Sequence, residues 1–301
     1  MSQPTGRQTV SYLMRRFQEA GIRPRVQLGQ SFLTDLNLVE LLVRTARLEP
    51  RDVVLEVGTG AGAVTALVAR QAAAVITVEV DPALFQLASE ELHGLANVRM
   101  LNIDALHKKS QLNPQMLAAV DEALAAGPDQ VFKLVANLPF NIATPLITNL
   151  LALDRPPQTM TVTIQKELAD RLVAAPCTKD YGALSIWVQS QCRVEVVRVM
   201  APSVFWPRPK VHSAIVHIAL DPARRARLAD RAFFHDFVRA LFLHRRKFLR
   251  SQLAEAVRGR LDKSALDQTL AQAGLRGDQR AEELDVPAMI ALADAVRAAS
   301  H

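Results

Sequence analysis

The strongest constraint on this chain is a rhythm. Between residues 52 and 218, short apolar, β-rich runs alternate with stretches of helical periodicity. The runs cover residues 53–57, 74–79, 98–102, 131–135 and 160–164, and amphipathic segments such as 82–92 separate them. Strand, helix, strand at this spacing requires crossover connections, which makes the strands parallel and puts helices on both faces of the sheet. Several runs are almost wholly apolar, as strands covered on both sides should be. After residue 164 the rhythm changes. Two more strand candidates, 194–199 and 214–218, flank a proline-rich loop at 202–209, and helical patterning then takes over at 232–243, 246–257, 263–273 and 287–298. The expected fold class is α/β. A Rossmann-like, doubly wound domain spans residues 1–220, and a small all-helical domain spans 221–301, with the break at Asp221-Pro222.

Length and composition bound what such a fold can serve. The 301 residues suit two domains of about 150 each. Half the residues are hydrophobic and 22% are charged, which excludes a disordered or collagen-like chain. Lys and Arg number 36 against 30 Asp and Glu, a surplus of +6 that permits an anionic partner. Cys177 and Cys192 cannot build a disulfide framework or a four-ligand zinc site, and the seven histidines are scattered, so no metal is expected. No apolar run approaches the ~18 residues of a membrane helix, and the first residues lack a signal-peptide core. A cytoplasmic protein with no membrane partner is the expectation.

Chemistry enters at the end of the first strand. Glu56-Val57-Gly58-Thr59-Gly60-Ala61-Gly62 follows it and opens a helix. Glycines there allow a tight turn and close approach of a ligand. Glu79 ends the second strand, placed to accept both hydroxyls of a ribose, a spacing that first suggests a dinucleotide. Glu56 argues for another nucleoside. A pyrophosphate wants amides and no carboxylate nearby, whereas a cationic ligand with an amino-acid tail, such as S-adenosylmethionine, suits one. Asp104 follows the third strand, where a side chain can bond an adenine amine. Taken alone, the glycines leave methyltransferase and NAD-dependent dehydrogenase both open.

Asn137-Leu138-Pro139-Phe140 follows the fourth strand directly. Ligands of open α/β sheets bind outside the carboxyl ends of the strands, so this turn faces the same crevice. The chemistry it suits is methylation of the exocyclic N6 of adenine, whose lone pair is delocalised into the ring. The Asn137 side-chain oxygen and the Leu138 carbonyl can hold the two N–H groups and aim the lone pair. Phe140 can stack on the base, and Pro139 keeps the turn rigid. Catalysis is then positioning and electrostatics without a strong base. The plainer reading is a proline turn with a core phenylalanine.

Further blocks carry a family resemblance. Arg23-Pro24-Arg25 and Gly29-Gln30-Ser31-Phe32-Leu33 precede the first strand. Gln165-Lys166-Glu167, Arg171-Leu172-Val173-Ala174, Tyr181-Gly182-Ala183-Leu184-Ser185, the loop Phe205-Trp206-Pro207-Arg208-Pro209-Lys210-Val211-His212-Ser213-Ala214 and Arg245-Arg246-Lys247 follow later. With the glycine loop and the Asn137 turn, these resemble the ribosomal RNA adenine dimethyltransferase family, from about residue 21 to the C-terminus. The resemblance implies a class I S-adenosylmethionine-dependent methyltransferase domain. It implies transfer of two methyls to N6 of each of two adjacent adenosines in the last hairpin loop of small-subunit rRNA, on a late pre-ribosomal particle. Carried over by position, cofactor contacts fall on Ser31, Leu33, Gly58, Glu79, Asp104 and Asn137. The family usually has Asn where Ser31 stands and Tyr where Phe140 stands. Large-subunit methyltransferases of the antibiotic-resistance type tolerate Phe there and remain an alternative, as does a non-catalytic assembly or transcription factor of the same fold.

An enzyme acting on an exocyclic amine must splay the base from its stack. Phe205 is a candidate to cover the base face opposite Phe140; equally, Phe205 or Trp206 anchors the proline-rich loop. Arg208 and Lys210 border that loop, Arg245, Arg246, Lys247 and Arg250 crowd one stretch, and Arg23 and Arg25 lie ahead of the first strand. Such cations neutralise phosphates or simply solvate a helix face. One open face for RNA suits a monomer.

Overall fold

A computed structural model describes residues 10–25, 29–109, 111–244, 247–257 and 261–299. The rhythm becomes one seven-stranded sheet: β1 (Asp52–Val57), β2 (Ala74–Val78), β3 (Val98–Leu101), β4 (Val131–Asn137), β5 (Thr159–Gln165), β6 (Cys192–Met200) and β7 (Ser213–Leu220). The order is β3-β2-β1-β4-β5-β7-β6. Strands β1 to β5 pair in parallel. Strand β7 runs antiparallel to β5, from Ser213 opposite Gln165 to Ala219 opposite Thr159. Every residue of β1 is buried, as is the run from Phe132 to Ala136 in β4. That burial is why these strands read as largely apolar runs without alternation, with Asp52, Glu56 and Lys133 as buried exceptions.

The helices start where the sequence supplies a cap. Asp35, Asp81 and Asn113 each accept a hydrogen bond from the backbone N–H two residues on, and proline follows Asp81 and Asn113 at the first helical position. Strand order reverses between β1 and β4, so their outgoing chains diverge and leave a crevice at the carboxyl ends.

Two pieces escape the strand-helix rhythm. Helix Val10–Glu19 puts Leu13 and Phe17 into an apolar cluster with Leu84, Leu87 and Ala61. The two-residue strands Phe32–Leu33 and Phe205–Trp206 pair antiparallel, Phe32 opposite Trp206 and Leu33 opposite Phe205.

The chain divides into two compact units, one of Met1–Ala169 with Glu195–Ala219 and one of Asp170–Val194 with Leu220–His301. The expectation is two continuous domains divided after residue 220; in this division residues 170–194, expected with the sheet, group with the C-terminal helices. Packing explains the difference. Helix Ala183–Gln189 buries Leu184, Ile186, Trp187 and Val188. The fully buried Tyr181 donates its hydroxyl to the Leu284 carbonyl at 2.9 Å, and the Trp187 ring lies 4.6 Å from that of His235. The helices expected at 232–243, 263–273 and 287–298 form as Arg231–Leu241, Lys263–Gln272 and Val286–Ala299. The helix expected at 246–257 begins only at Leu249, because Phe248 is extended.

Candidate active site

The crevice past β1 and β4 is a single cleft that brings together Ser31, Leu33, Gly58, Glu79, Asp104 and Asn137. The glycine loop builds its floor. Gly58 has φ +86°, a region that costs other residues strain, and a Cβ there would lie 3.1 Å from the Pro139 ring. The close approach this glycine permits is therefore that of the 137–140 turn. Gly60, at φ +57°, likewise stands against the Phe32 ring.

Glu79 is 5% exposed, and each of its oxygens serves the fold: Oε2 accepts from Gly60 N at 2.9 Å and Oε1 from Asp81 N at 3.0 Å. Burial raises its pKa against the opposing pull of those amides. Each carboxylate oxygen has a second lone pair, which is what a ribose hydroxyl needs. Glu56 is 1% exposed, and its Oε2 accepts from the Thr65 and Thr77 hydroxyls. Burial pushes its pKa up to about 8, the hydroxyl bonds resist that, and the neighbouring Glu79 charge adds to it. Asp104 is exposed at the cleft and accepts from Leu106 N through one oxygen.

The described lining holds Glu56, Glu79 and Asp104 and no Lys, Arg or His. An acidic lining that holds no described cation disfavours a pyrophosphate and suits a positive ligand, the more so once Glu56 ionises. The residues present fit a nucleoside with a cationic tail.

At the catalytic turn, Asn137 ends β4 and its Nδ2 donates to the Ser31 carbonyl at 2.9 Å. Its Oδ1 is buried and has no hydrogen-bond partner among the described residues. Leu138 is 2% exposed and held by a bond from its N–H to the Thr163 carbonyl at 3.2 Å. Pro139 lines the cleft together with Asn141, whereas Phe140 is partly exposed and is not part of the lining. A ring so placed is available to something outside the cofactor space.

Not every candidate meets the cleft. Phe205 is 3% exposed, packed with Leu33, Val39 and Leu42 in the main core, so it anchors its loop and cannot cover a base. Its register opposite Leu33 turns it inward. Trp206 stacks edge-on against Phe17 at 5.3 Å. Arg208 and Lys210 are exposed, and no described carboxylate neutralises them. Lys247 is exposed but ion-paired with Glu255, which also holds His244 at 3.1 Å. Arg250 is committed to a two-pronged pair with Asp267 at 2.7 and 2.9 Å. Arg245 and Arg246 lie outside the described residues. Conversely, sequence reasoning missed Leu13, which lines the cleft from helix Val10–Glu19. Its signal was there: Leu13 and Phe17 stand four apart among arginines.

Comparison with known proteins identifies the family. The family model described as ribosomal RNA adenine dimethylase matches residues 21–292. A protein of Pelotomaculum thermopropionicum named ribosomal RNA small subunit methyltransferase A is 39% identical over 95% of this chain and 94% of its own length. A protein of the same name from Lactiplantibacillus plantarum is 39% identical over 93% and 92%. Among solved structures, a dimethyladenosine transferase from Plasmodium falciparum superposes with TM-score 0.71 at 23% identity, covering 87% of this chain and 95% of that one. The 23S rRNA methyltransferase ErmE gives 0.59 at 22% identity, covering 88% and 99%. The family model and the relatives match over most of the chain, and the chain belongs to the ribosomal RNA adenine dimethylase family.

Proposed function

We propose that this chain methylates N6 of two adjacent adenosines in the 3′-terminal hairpin loop of small-subunit rRNA, twice each, during late assembly of the particle. The observation that carries the reading is the Asn137 Oδ1 atom, a buried acceptor with no partner at the end of β4. An unmet buried acceptor costs about 1–3 kcal/mol, and a donor arriving in the cleft repays it. The N6 amine is such a donor. Asn137 Oδ1 accepts one N–H, the Leu138 carbonyl the other, and Phe140 stacks on the ring. Held this way, the nitrogen lone pair points into the cleft. S-adenosylmethionine, when bound, supplies an electrophilic methyl. Asn137 and Leu138 would hold the nitrogen toward that methyl, and the proton shed on alkylation would leave to water. Glu79 holds the ribose, Asp104 the adenine amine, Ser31 and Leu33 close over the methionine end, and Glu56 answers its charge on giving up its proton. Arg208 and Lys210 meet phosphates, and the helical unit carries the remaining contacts with the particle.

The test is to incubate the protein with labelled S-adenosylmethionine and small subunits lacking this modification, then map the methylated adenosines. Label in N6-dimethyladenosine of the terminal hairpin is expected. Label only on large-subunit RNA would favour the antibiotic-resistance type, which Phe140 also suits. No label on either would overturn the enzymatic reading.

A further inference from the structure

An asparagine amide works as an acceptor only if its oxygen faces the substrate. In Asn137 that choice is made by one neighbour. The Ser31 carbonyl has no proton to give, so the group it meets at 2.9 Å must be the Nδ2 amide, and Oδ1 is turned the other way. What holds the Ser31 carbonyl there is a strap, residues 29–34, fastened at both ends. On the far side, Ser31 Oγ donates to the Pro207 carbonyl at 3.1 Å and Thr34 Oγ1 to the Val204 carbonyl at 3.0 Å. On the near side Gly29 sits against the catalytic turn, where a Cβ would lie 3.1 Å from Phe140 N and 2.9 Å from Asn141 Oδ1.

The near fastening is Gln30. Its Nε2 donates to Asp81 Oδ2 at 3.3 Å, and its Oε1 accepts from Arg25 N at 2.6 Å. Asp81 is itself fixed: its N–H donates to Glu79, its Oδ1 caps helix Pro82–Glu91, and Arg25 Nε lies 3.4 Å from Oδ2. A continuous set of bonds thus runs from the Glu79 carboxylate through Asp81 and Gln30 to the strap, and from the strap to Asn137.

We propose that Gln30 is a positioning residue for methyl transfer: by tying the strap to Asp81 it keeps the Ser31 carbonyl on Asn137 Nδ2 and so aims the Asn137 oxygen at the target amine. This rests on the functional reading above. Removing Gln30 loosens the near end of the strap while the far fastenings stay, and the Asn137 amide then rotates or flips for part of the time. The chemical step slows while the nucleoside pocket is left standing.

The experiment compares the wild type with Gln30→Met, which keeps length and removes both polar groups. Single-turnover transfer on unmodified small subunits is measured at saturating S-adenosylmethionine, and affinity for S-adenosylhomocysteine is measured by calorimetry. The side-chain amide of Asn137 is followed by NMR with 15N-asparagine. The expected result is a rate at least tenfold lower, an affinity within threefold of wild type, and faster hydrogen exchange at the Asn137 amide. An unchanged rate with an unchanged amide signal overturns the proposal, as does a rate loss that tracks lost cofactor affinity. If the wild type transfers nothing, it is the functional reading that fails, while the amide exchange still reports on the strap.

Discussion

Two loops at the carboxyl edge of the sheet each carry a phenylalanine beside a proline, and the structure uses them in opposite ways. In the 137–140 turn, Phe140 is partly exposed and Asn137 keeps a buried oxygen unpaired. In the 205–210 loop, Phe205 is sealed in the core, while Arg208 and Lys210 stand free in solvent. One loop leaves over a ring and an acceptor, the other two cations, the sets proposed above to meet a base and phosphates. The difference teaches that residue type does not assign a role. What matters is whether the fold has already used the group.

The two phenylalanines should therefore fail differently. Phe205→Ala removes a buried ring and should cost about 3–5 kcal/mol of stability, read as a large drop in the denaturant midpoint. Phe140→Ala should leave that midpoint nearly in place and weaken target binding by about 1–3 kcal/mol, the value of one stacked base. A stability loss at Phe140 equal to that at Phe205 would break the comparison.

Asn137→Ala comes next. It removes an unspent buried acceptor of the cleft, and losing a preorganised hydrogen-bonding group typically costs on the order of 100- to 1000-fold in turnover. The fold should survive, since only the bond to the Ser31 carbonyl is lost with it. Turnover within threefold of wild type would mean that the amine is held by other groups.

How much of this was legible in the sequence follows the same division between used and unused groups. The sheet was legible because buried parallel strands are largely apolar, and the cleft followed from where strand order reverses. The pairing of Phe32–Leu33 with Phe205–Trp206 was not, because two residues have no period. So the inward turn of Phe205 stayed hidden. Segment 170–194 was misplaced for a related reason: a short helix with Leu184, Ile186, Trp187 and Val188 all buried has no polar face to show what it packs against. The six cofactor candidates share one cleft, but the strap that ties two of them, Ser31 and Asn137, depends on bonds of Gln30 across 51 residues to Asp81. No local pattern encodes that.

Glu56 sharpens the contrast from behind the turn, for its hydrogen bonds are spent and its charge is not. The folded chain holds the Glu56 proton up to about pH 8, whereas the unfolded value is 4.5. The folded state therefore binds the extra proton between those values, and this group's contribution to stability falls as pH rises through that window. A cationic ligand favours the ionised form. Its affinity should climb as pH rises toward 8, by up to about tenfold per unit, while uncharged adenosine should show no such slope. The Thr65 and Thr77 hydroxyls and the Glu79 carboxylate face the same group, so Glu56→Gln isolates its share. That variant should flatten the pH dependence of S-adenosylmethionine binding, measured by calorimetry. A slope unchanged in Glu56→Gln would assign the titration to Glu79.

The smallest effect concerns the cations, and it separates free charge from spent charge most directly. Each phosphate neutralised contributes about −0.9 to the slope of log affinity against log salt. Arg208→Ala and Lys210→Ala should each reduce the magnitude of that slope by about 1 for binding to the small subunit. Lys247→Ala should reduce it by less, because Glu255 already offsets its charge. The double variant Lys247→Ala with Glu255→Gln removes the ion pair as a unit and should bind with nearly the wild-type slope. If Lys247→Ala alone matches Arg208→Ala, the pair with Glu255 opens on the particle, and a charge that is spent in the free protein becomes available when RNA arrives.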